Sequence, residues 1–232
     1  MASTNSLEAL LAKFTACAAE MQRLGQAIVE FKAGEGIAGI KKTLRQRLKE
    51  PKSAERTAII TAYADLVLDL EDPGRYTVFT LVLDCSEEEI SQIGLMALRH
   101  EMAEPTTELF SALRQFIVRA SPAGLLSVLE LLTDLPDDTV EEHVQAAVEI
   151  IRLLLEHTDA PVIYKAIQVA TAYRSEDCVP AIAQLLGDQR GVMIRVSEDS
   201  DAMMAVKLGT VARNALETIQ TAVEENAHLA QA

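Results

Sequence analysis

The sequence is poor in the residues that build all-β, membrane-spanning or secreted proteins. It has no tryptophan, and aromatic residues make up 4% of its 232 positions, beside only 10 glycines and 7 prolines. Because β-sandwiches use aromatic strands and many glycine-rich turns, this scarcity favours helices. No run approaches the roughly 18 apolar residues of a membrane span, and the N-terminal MASTNSLEALLAKF lacks the basic region of a secretory signal. We therefore expect a soluble, cytoplasmic, helical protein.

Cysteine is also scarce. Cys17, Cys85 and Cys178 are odd in number and far apart, and no CxxC pair suggests a zinc site or a redox motif. We interpret them as buried free thiols in a reducing compartment.

Basic residues are the minority among the charged ones. The chain has 21 Lys and Arg against 35 Asp and Glu, a net charge of −14. An anionic surface repels phosphate backbones and anionic lipids, which argues against general nucleic-acid or membrane binding unless the cations are gathered in one place.

One segment does gather them, KKTLRQRLKEPK at residues 41–52. Apolar residues at helical spacing lie among its cations, so we predict a basic amphipathic helix. Such a helix suits an acidic protein, a nucleic acid or an anionic membrane, and the alternative is a solvated helix that pairs with the protein's own carboxylates. The apolar stripe is Ile37, Ile40, Leu44 and Leu48, and the candidate partner-binding residues are Lys41, Lys42, Arg45, Arg47 and Lys49.

The prolines mark places where helical periodicity restarts, because proline is tolerated at the first turn of a helix and disfavoured inside it. Residues 76–83 and 192–197 are rich in β-branched or aromatic residues, so strands remain an alternative there. We favour a helix for the first segment and an extended loop or short hairpin for the second. The predicted helices are 5–33, 37–49, 53–70, 73–83, 87–103, 106–119, 122–133, 138–157, 161–173, 177–187 and 202–225.

The first predicted helix has an unbroken heptad seam that another helix must cover. That helix comes either from the same chain or from a second copy, in which case the seam forms a homodimer. We assign residues 1–50 to an N-terminal helical arm and 51–232 to a helical-repeat domain, with one continuous domain as the alternative. The seam consists of Leu7, Leu10, Phe14, Cys17, Met21, Leu24, Ile28 and Phe31.

Internal repetition is visible in the second half. SPAGLLSVLELLTD at residues 121–134 aligns with SEDCVPAIAQLLGD at residues 175–188, an offset of 54, and the preceding helices align at the same offset. The alignment predicts one continuous core that contains Leu113, Leu132, Ile167, Leu185 and Leu186.

Residues 160–188 resemble a HEAT-type repeat: an amphipathic helix, a short acidic turn, and a second helix with the motif V-P-x-I-x-x-L-L-x-D. Residues 206–219 look like the first helix of another unit. The resemblance covers roughly residues 105–219. It implies an all-α fold, a HEAT-like helical-repeat α-α superhelix that follows the long N-terminal heptad helix, and a protein-binding role.

Candidate chemistry is sparse. The G-x-G-x-x-G at residues 34–39 does not follow a strand, as a dinucleotide fingerprint must, so we interpret it as a turn between helices. The pairs His100 with Glu104 and Glu225 with His228 share helical faces but lack the further ligands of a metal centre. We therefore predict no catalytic residue, no metal and no cofactor.

The favoured function is a scaffold, adaptor or chaperone-like protein whose helical-repeat surface binds another protein, of unknown identity. An enzyme or enzyme subunit resembling bacterial HEAT-repeat bilin lyases is the first alternative. Nucleic-acid binding through the basic helix 41–52 is the second.

Overall fold

The computed structural model describes residues 36–229, apart from residues 69, 71, 137, 198 and 199. The heptad seam of residues 7–31, including Cys17, and the first two residues of the G-x-G-x-x-G segment lie outside these residues. The described residues form two compact units, one up to Leu98 and one from Arg99. The predicted division after residue 50 stays a prediction.

The first unit contains three helices and most of a fourth. Their bounds are α1 Gly36–Arg47, α2 Ala54–Leu68, α3 Arg75–Leu83 and α4 Glu88–Met102, whose end belongs to the second unit. Residues 36–39 are helical, so the expected turn does not include them.

Local signals explain where two of these helices begin. The hydroxyl of Ser53 accepts a hydrogen bond from the backbone N–H of Arg56 at 3.1 Å, which caps the start of α2. Before α3, the carboxylate of Asp72 accepts one from the N–H of Gly74 at 2.7 Å. The helical interpretation of residues 76–83 is confirmed.

The core of the first unit is formed where α1, α2 and α3 pack on one another. Tyr63 of α2 and Phe79 of α3 are among its largest buried side chains. Helix α4 approaches the end of α3 so closely that a Cβ on Gly94 would lie 2.5 Å from the backbone nitrogen of Leu83. Only glycine fits this contact.

The second unit continues with six helices, a short 3-10 helix and a hairpin. The bounds are α5 Thr107–Ile117, α6 Pro122–Thr133, α7 Glu141–Leu155, α8 Ala160–Ala172, the 3-10 helix Glu176–Cys178, α9 Val179–Gln184, β1 Gly191–Ser197, β2 Ser200–Lys207 and α10 Leu208–Leu229.

These helices pack in two alternating layers. Helix α6 contacts α8, and α8 contacts α10, while α5 contacts α7, and α7 contacts the 3-10 helix and α9. Fully buried residues such as Leu125, Ile150 and Ile163 fill the space between them. Stacked helices that contact their neighbours in this way form a helical-repeat solenoid. The predicted all-α, HEAT-like repeat class is thus confirmed for this unit.

The offset of 54 residues, in contrast, is not the structural repeat. It aligns α5 with α8 and α6 with α9, helices that lie in opposite layers. Both layers face one core, so their apolar spacing is alike and does not reveal which layer a helix occupies. The resemblance at residues 160–188 is consistent with the packing, because α8 and α9 lie in different layers and α10 returns to the layer of α8.

Four of the five residues predicted for the common core are buried. Leu113 and Leu132 are fully enclosed, Ile167 is 1% exposed and Leu185 is 9% exposed, but Leu186 is 40% exposed. The prediction for Leu186 is wrong because α9 ends at Gln184. The chain turns there, and the helical spacing that would direct the next leucine inward no longer applies.

The hairpin corrects another prediction. Residues 202–207, expected to begin a long helix, instead form most of β2, which pairs antiparallel with β1. Alanine and methionine favour helices, yet pairing with the β-branched β1 prevails over this weak local preference. The hairpin alternative for residues 192–197 is confirmed.

Candidate partner-binding surface

The basic segment forms the amphipathic helix that its spacing predicts. Ile40 and Leu44 of α1 are fully buried against the first unit, and Ile37 and Leu48 are half-buried. Because the apolar stripe faces the core, the opposite face of α1 is directed to solvent.

Three cations lie on that solvent face. Lys42, Arg45 and Lys49 are all exposed, and their spacing of three and four residues aligns them along one side of the helix and the turn that continues it. At 1.5 Å per residue the row is about 10 Å long. None of the three forms an ion pair with another described residue. We call these three residues the cation row.

The other cations of the segment have interactions of their own. Arg47 donates to a carboxylate oxygen of Glu50 at 2.9 Å, and Lys52 Nζ lies 3.8 Å from Glu87. Lys41 is half-buried and also has an interaction. Arg47 and Lys52 therefore pair with the protein's own carboxylates, as the alternative interpretation predicts. The cation row remains open to solvent.

A buried arginine supports the turn that carries Lys49. The Arg56 side chain is 2% exposed and donates to the carbonyl of Glu50 at 2.6 Å and to the carboxylate of Glu87 at 2.5 Å. This hydrogen bond holds the pKa of Glu87 below its usual value. The two bonds fasten the α1–α2 turn to the start of α4.

Sequence reasoning missed the pair because Arg56 and Glu87 are 31 positions apart. The available signal was an arginine within a largely apolar helix, AERTAIITAYADLVL.

Open grooves that are lined mainly by helix surface residues lie in both units. In the first unit, a groove of about 770 Å³ lies between α2 and the start of α4, and Lys52, Thr57 and Glu87 are among its lining residues. In the second unit, adjoining grooves of about 440 and 330 Å³ run between α8 and α10 and share Asn214 and Thr218.

Two titratable groups of the second unit, Tyr173 and Cys178, are packed rather than poised for reaction. The Tyr173 hydroxyl donates to the carbonyl of Leu132 at 2.5 Å, and burial raises the pKa of this phenol. Burial likewise raises the pKa of the Cys178 thiol, which keeps it protonated and a poor nucleophile at neutral pH. Cys178 is buried, as expected, whereas Cys85 is half-buried, and both are free thiols.

Metal-ligating side chains do not converge within the described part of the chain, where no group of three or more His, Cys, Asp or Glu could hold an ion. The imidazole ring of His143, a group that often binds metals, instead packs against the ring of Phe110, and the two ring centroids are 5.4 Å apart. Among residues 36–229, no described helix is both long and apolar enough to cross a membrane.

No family model matches the sequence. No curated protein matches it either.

Three of the solved structures that are similar to this chain are designed or engineered proteins. A computationally designed armadillo repeat protein for modular peptide recognition has 16% identity and a TM-score of 0.40, over 87% of this chain and 92% of that one. An engineered protein has 20% identity and a TM-score of 0.35, over 86% and 84%. A designed armadillo repeat protein in complex with the peptide (KR)4 has 16% identity and a TM-score of 0.29, over 90% and 94%.

Proposed function

We propose that the protein is an adaptor that binds an acidic segment of another protein through the cation row of α1. The observation that carries this proposal is the exposure of Lys42, Arg45 and Lys49 on a helix whose apolar stripe is buried. The predicted sites Lys41, Arg47 and Lys49 thereby acquire different roles: Lys49 contacts the partner, whereas Arg47 pairs with Glu50 and Lys41 already has an interaction of its own.

The cation row differs in charge from the rest of the chain, and this difference helps it to attract an acidic partner. The whole chain carries −14, so a local positive row creates a field that orients an approaching anionic group. Such steering acts mainly on the association rate and weakens as salt shortens the Debye length to about 8 Å at physiological ionic strength.

The size of the row favours an acidic protein over a nucleic acid. Proteins that depend on phosphate contacts commonly make about 6–10 of them, whereas the row has three cations on an otherwise anionic chain. A row about 10 Å long matches carboxylates spaced three or four residues apart on a partner helix.

The test reverses the row in the full chain with Lys42→Glu, Arg45→Glu and Lys49→Glu. The probe is a helical peptide with glutamates at positions i, i+3 and i+7, and binding is followed by surface plasmon resonance from about 50 to 300 mM salt. We expect the association rate of the variant to fall at least about tenfold at low salt, with the dissociation rate little changed.

The matched control reverses three exposed arginines of the second unit, Arg119→Glu, Arg195→Glu and Arg213→Glu, which changes the net charge by the same amount. Circular dichroism verifies that both variants fold. Equal losses in the two variants would show that net charge alone attracts the probe. If duplex DNA bound more tightly than the peptide, with a steep salt dependence lost on reversal of the row, the nucleic-acid alternative would replace this proposal.

A further inference from the structure

The hairpin between α9 and α10 has one face that is partly covered. Side chains alternate between the two faces along a strand, and directly opposite residues share a face. On the covered face, Val192 is 8% exposed, the opposite residue Val206 is half-buried, and β1 contacts α8. Ile194 on the same face is half-buried, and Met204 opposite it is 49% exposed. The base of this face therefore packs on the second unit.

Every residue of the other face is exposed. We call this set the hairpin face, and it consists of three cross-strand pairs: Gly191 with Lys207, Met193 with Ala205, and Arg195 with Met203. All three pairs lie on the regular side of the shift in register that follows Arg195. Met193 and Met203 are 57% and 52% exposed, so two long apolar side chains are presented to solvent.

A small residue lies between the two methionines of the hairpin face. Ala205 is directly opposite Met193, where Cβ atoms are about 5 Å apart, and it is two residues from Met203, about 7 Å along the strand. The long side chains thus flank a short one, which leaves space for a single large apolar side chain of a partner. Methionine is flexible and polarisable, so it adapts its shape to such a side chain.

The charged residues of the hairpin face are both cations. Arg195 forms no ion pair with another described residue. Lys207 Nζ donates to the side-chain carbonyl of Gln189 at 2.8 Å, and because this acceptor is neutral it does not compensate the lysine charge. The cations lie four residues apart along the strands, about 13 Å. Carboxylates on both sides of an apolar residue would complement them.

These charges favour an acidic protein segment over other occupants. The hairpin face of a second copy would bring cations against cations. An anionic membrane attracts each nearby cation but repels a chain that carries −14 overall. A helix is suited to a face that offers no free backbone groups, because it satisfies its own backbone hydrogen bonds. Glutamates at positions i and i+7 of a helix are about 10 Å apart, and the long side chains of arginine and lysine span the remaining distance.

The base of the hairpin is held firmly to the helices. Arg190 donates to the carboxylate of Asp188 and to the carbonyl of Thr158, the latter at 2.6 Å. A Cβ on Gly209 would lie 2.6 Å from the carbonyl oxygen of Leu186, so the returning chain fits closely. A surface that is ordered before binding loses less conformational entropy when a partner docks.

We propose that the hairpin face is a second docking surface, which binds an acidic amphipathic helix of another protein. A large apolar residue of that helix packs over Ala205 between the two methionines, and carboxylates about one turn before and one turn after it contact Arg195 and Lys207. This surface goes beyond the proposed function, because it lies in the second unit and does not use the cation row.

The test measures binding of two helical peptides to the full chain by fluorescence anisotropy. The leucine probe has glutamates at positions i and i+7 and leucine at i+3, whereas the glutamate probe has glutamate at all three. Met193→Ser/Met203→Ser removes both apolar walls and should weaken binding of the leucine probe at least about tenfold, since buried apolar surface provides most of this contact. Binding of the glutamate probe should not change, because that peptide lacks the apolar residue.

Two control variants separate this surface from others. Met96→Ser makes the same substitution at a methionine of α4 that is 67% exposed and should leave binding of both probes unchanged. Reversal of the cation row should weaken the glutamate probe but preserve the part of leucine-probe binding that depends on the methionines. Failure of the proposed function and failure of this proposal therefore give different results. Circular dichroism verifies that each variant folds.

Ala205→Leu distinguishes a fitted site from general apolar adhesion. It fills the space between the methionines while it adds apolar surface, so a fitted site should bind the leucine probe at least about tenfold more weakly. Tighter binding by this variant would contradict the proposal.

Three further results would overturn it. The first is equal binding of the leucine probe by the wild type and the double methionine variant. The second is tighter binding of a leucine probe with lysines in place of its glutamates, which would show that the acidic residues 198, 199 and 201 dominate the charge of the hairpin. The third is methionine-dependent binding to anionic vesicles, or methionine-dependent dimerisation in sedimentation equilibrium, without binding of the leucine probe. These outcomes would assign the face to a membrane or to a second copy.

Discussion

The two units use charged side chains in different ways. In the first, Arg56 is almost fully enclosed and joins the α1–α2 turn to the start of α4. In the second, Arg99 pairs with Glu130 and Asp134, and Arg114 with Glu149, yet these arginine side chains are 41% and 49% exposed. Solvent-exposed pairs contribute little to stability, whereas a buried charge that loses its partner is costly.

This contrast indicates what holds each unit together. The second unit depends on two layers of helices whose apolar faces meet, with Leu113, Leu125 and Leu132 fully buried. The first unit adds to its apolar core a polar connection at the turn that carries Lys49. Three measurements test whether this difference between the units holds.

Leu132→Ala should have the largest effect. It removes a fully buried side chain between the layers of the second unit, and such truncations typically cost about 2–5 kcal/mol. This loss of stability is measured as the change in the free energy of unfolding, obtained by urea denaturation. Leu186→Ala, at a leucine that is 40% exposed, serves as the control and should change this free energy by under about 1 kcal/mol. Similar effects of the two substitutions would contradict the layered core.

Arg56→Met should have an intermediate effect on the first unit. It leaves the carbonyl of Glu50 and the carboxylate of Glu87 without their donor, and unsatisfied groups of this kind cost about 1–3 kcal/mol. Arg99→Met removes an exposed arginine that also has two acceptors and should cost about 0–1 kcal/mol. If both variants lose the same free energy in urea denaturation, burial does not distinguish the two units.

The pH dependence of stability should show the smallest effect. The Arg56 hydrogen bond holds the pKa of Glu87 below the usual value for glutamate, so this carboxylate stabilises the folded state at neutral pH. That contribution is lost as the pH falls below the unfolded value of about 4.3 and through the lower folded pKa. The stability difference between wild type and Glu87→Gln should therefore shrink as acid is added, measured by urea denaturation from pH 7 to 3. The control is the same comparison in the Arg56→Met background, where the Glu87 carboxylate has lost its donor and the dependence on pH should be smaller.

Short-range signals account for most of what could be predicted. Thr106, Ser121 and Asp159 each accept a hydrogen bond from a backbone N–H three residues later, which caps α5, α6 and α8 near the predicted starts. The buried stripe of α1 likewise follows from the spacing of Ile40 and Leu44. Interactions between neighbours in sequence suffice to place these features.

Features that depend on distant residues were missed. The Arg56–Glu87 pair spans 31 positions, and β2 becomes a strand because β1 lies beside it. The alignment at an offset of 54 residues was wrong for the same reason. An apolar face shows that a helix packs on a core, but it does not show to which layer the helix belongs.

The helical class, the repeat-like second half and the position of the basic helix follow from the sequence, because helix propensity, capping and apolar periodicity act over a few residues. The cations of that helix that remain open to solvent, the exposure of Leu186 and the strand at residues 200–207 emerged from the tertiary structure alone. Each of these depends on what a distant segment covers, and coverage follows from packing, which local sequence does not specify.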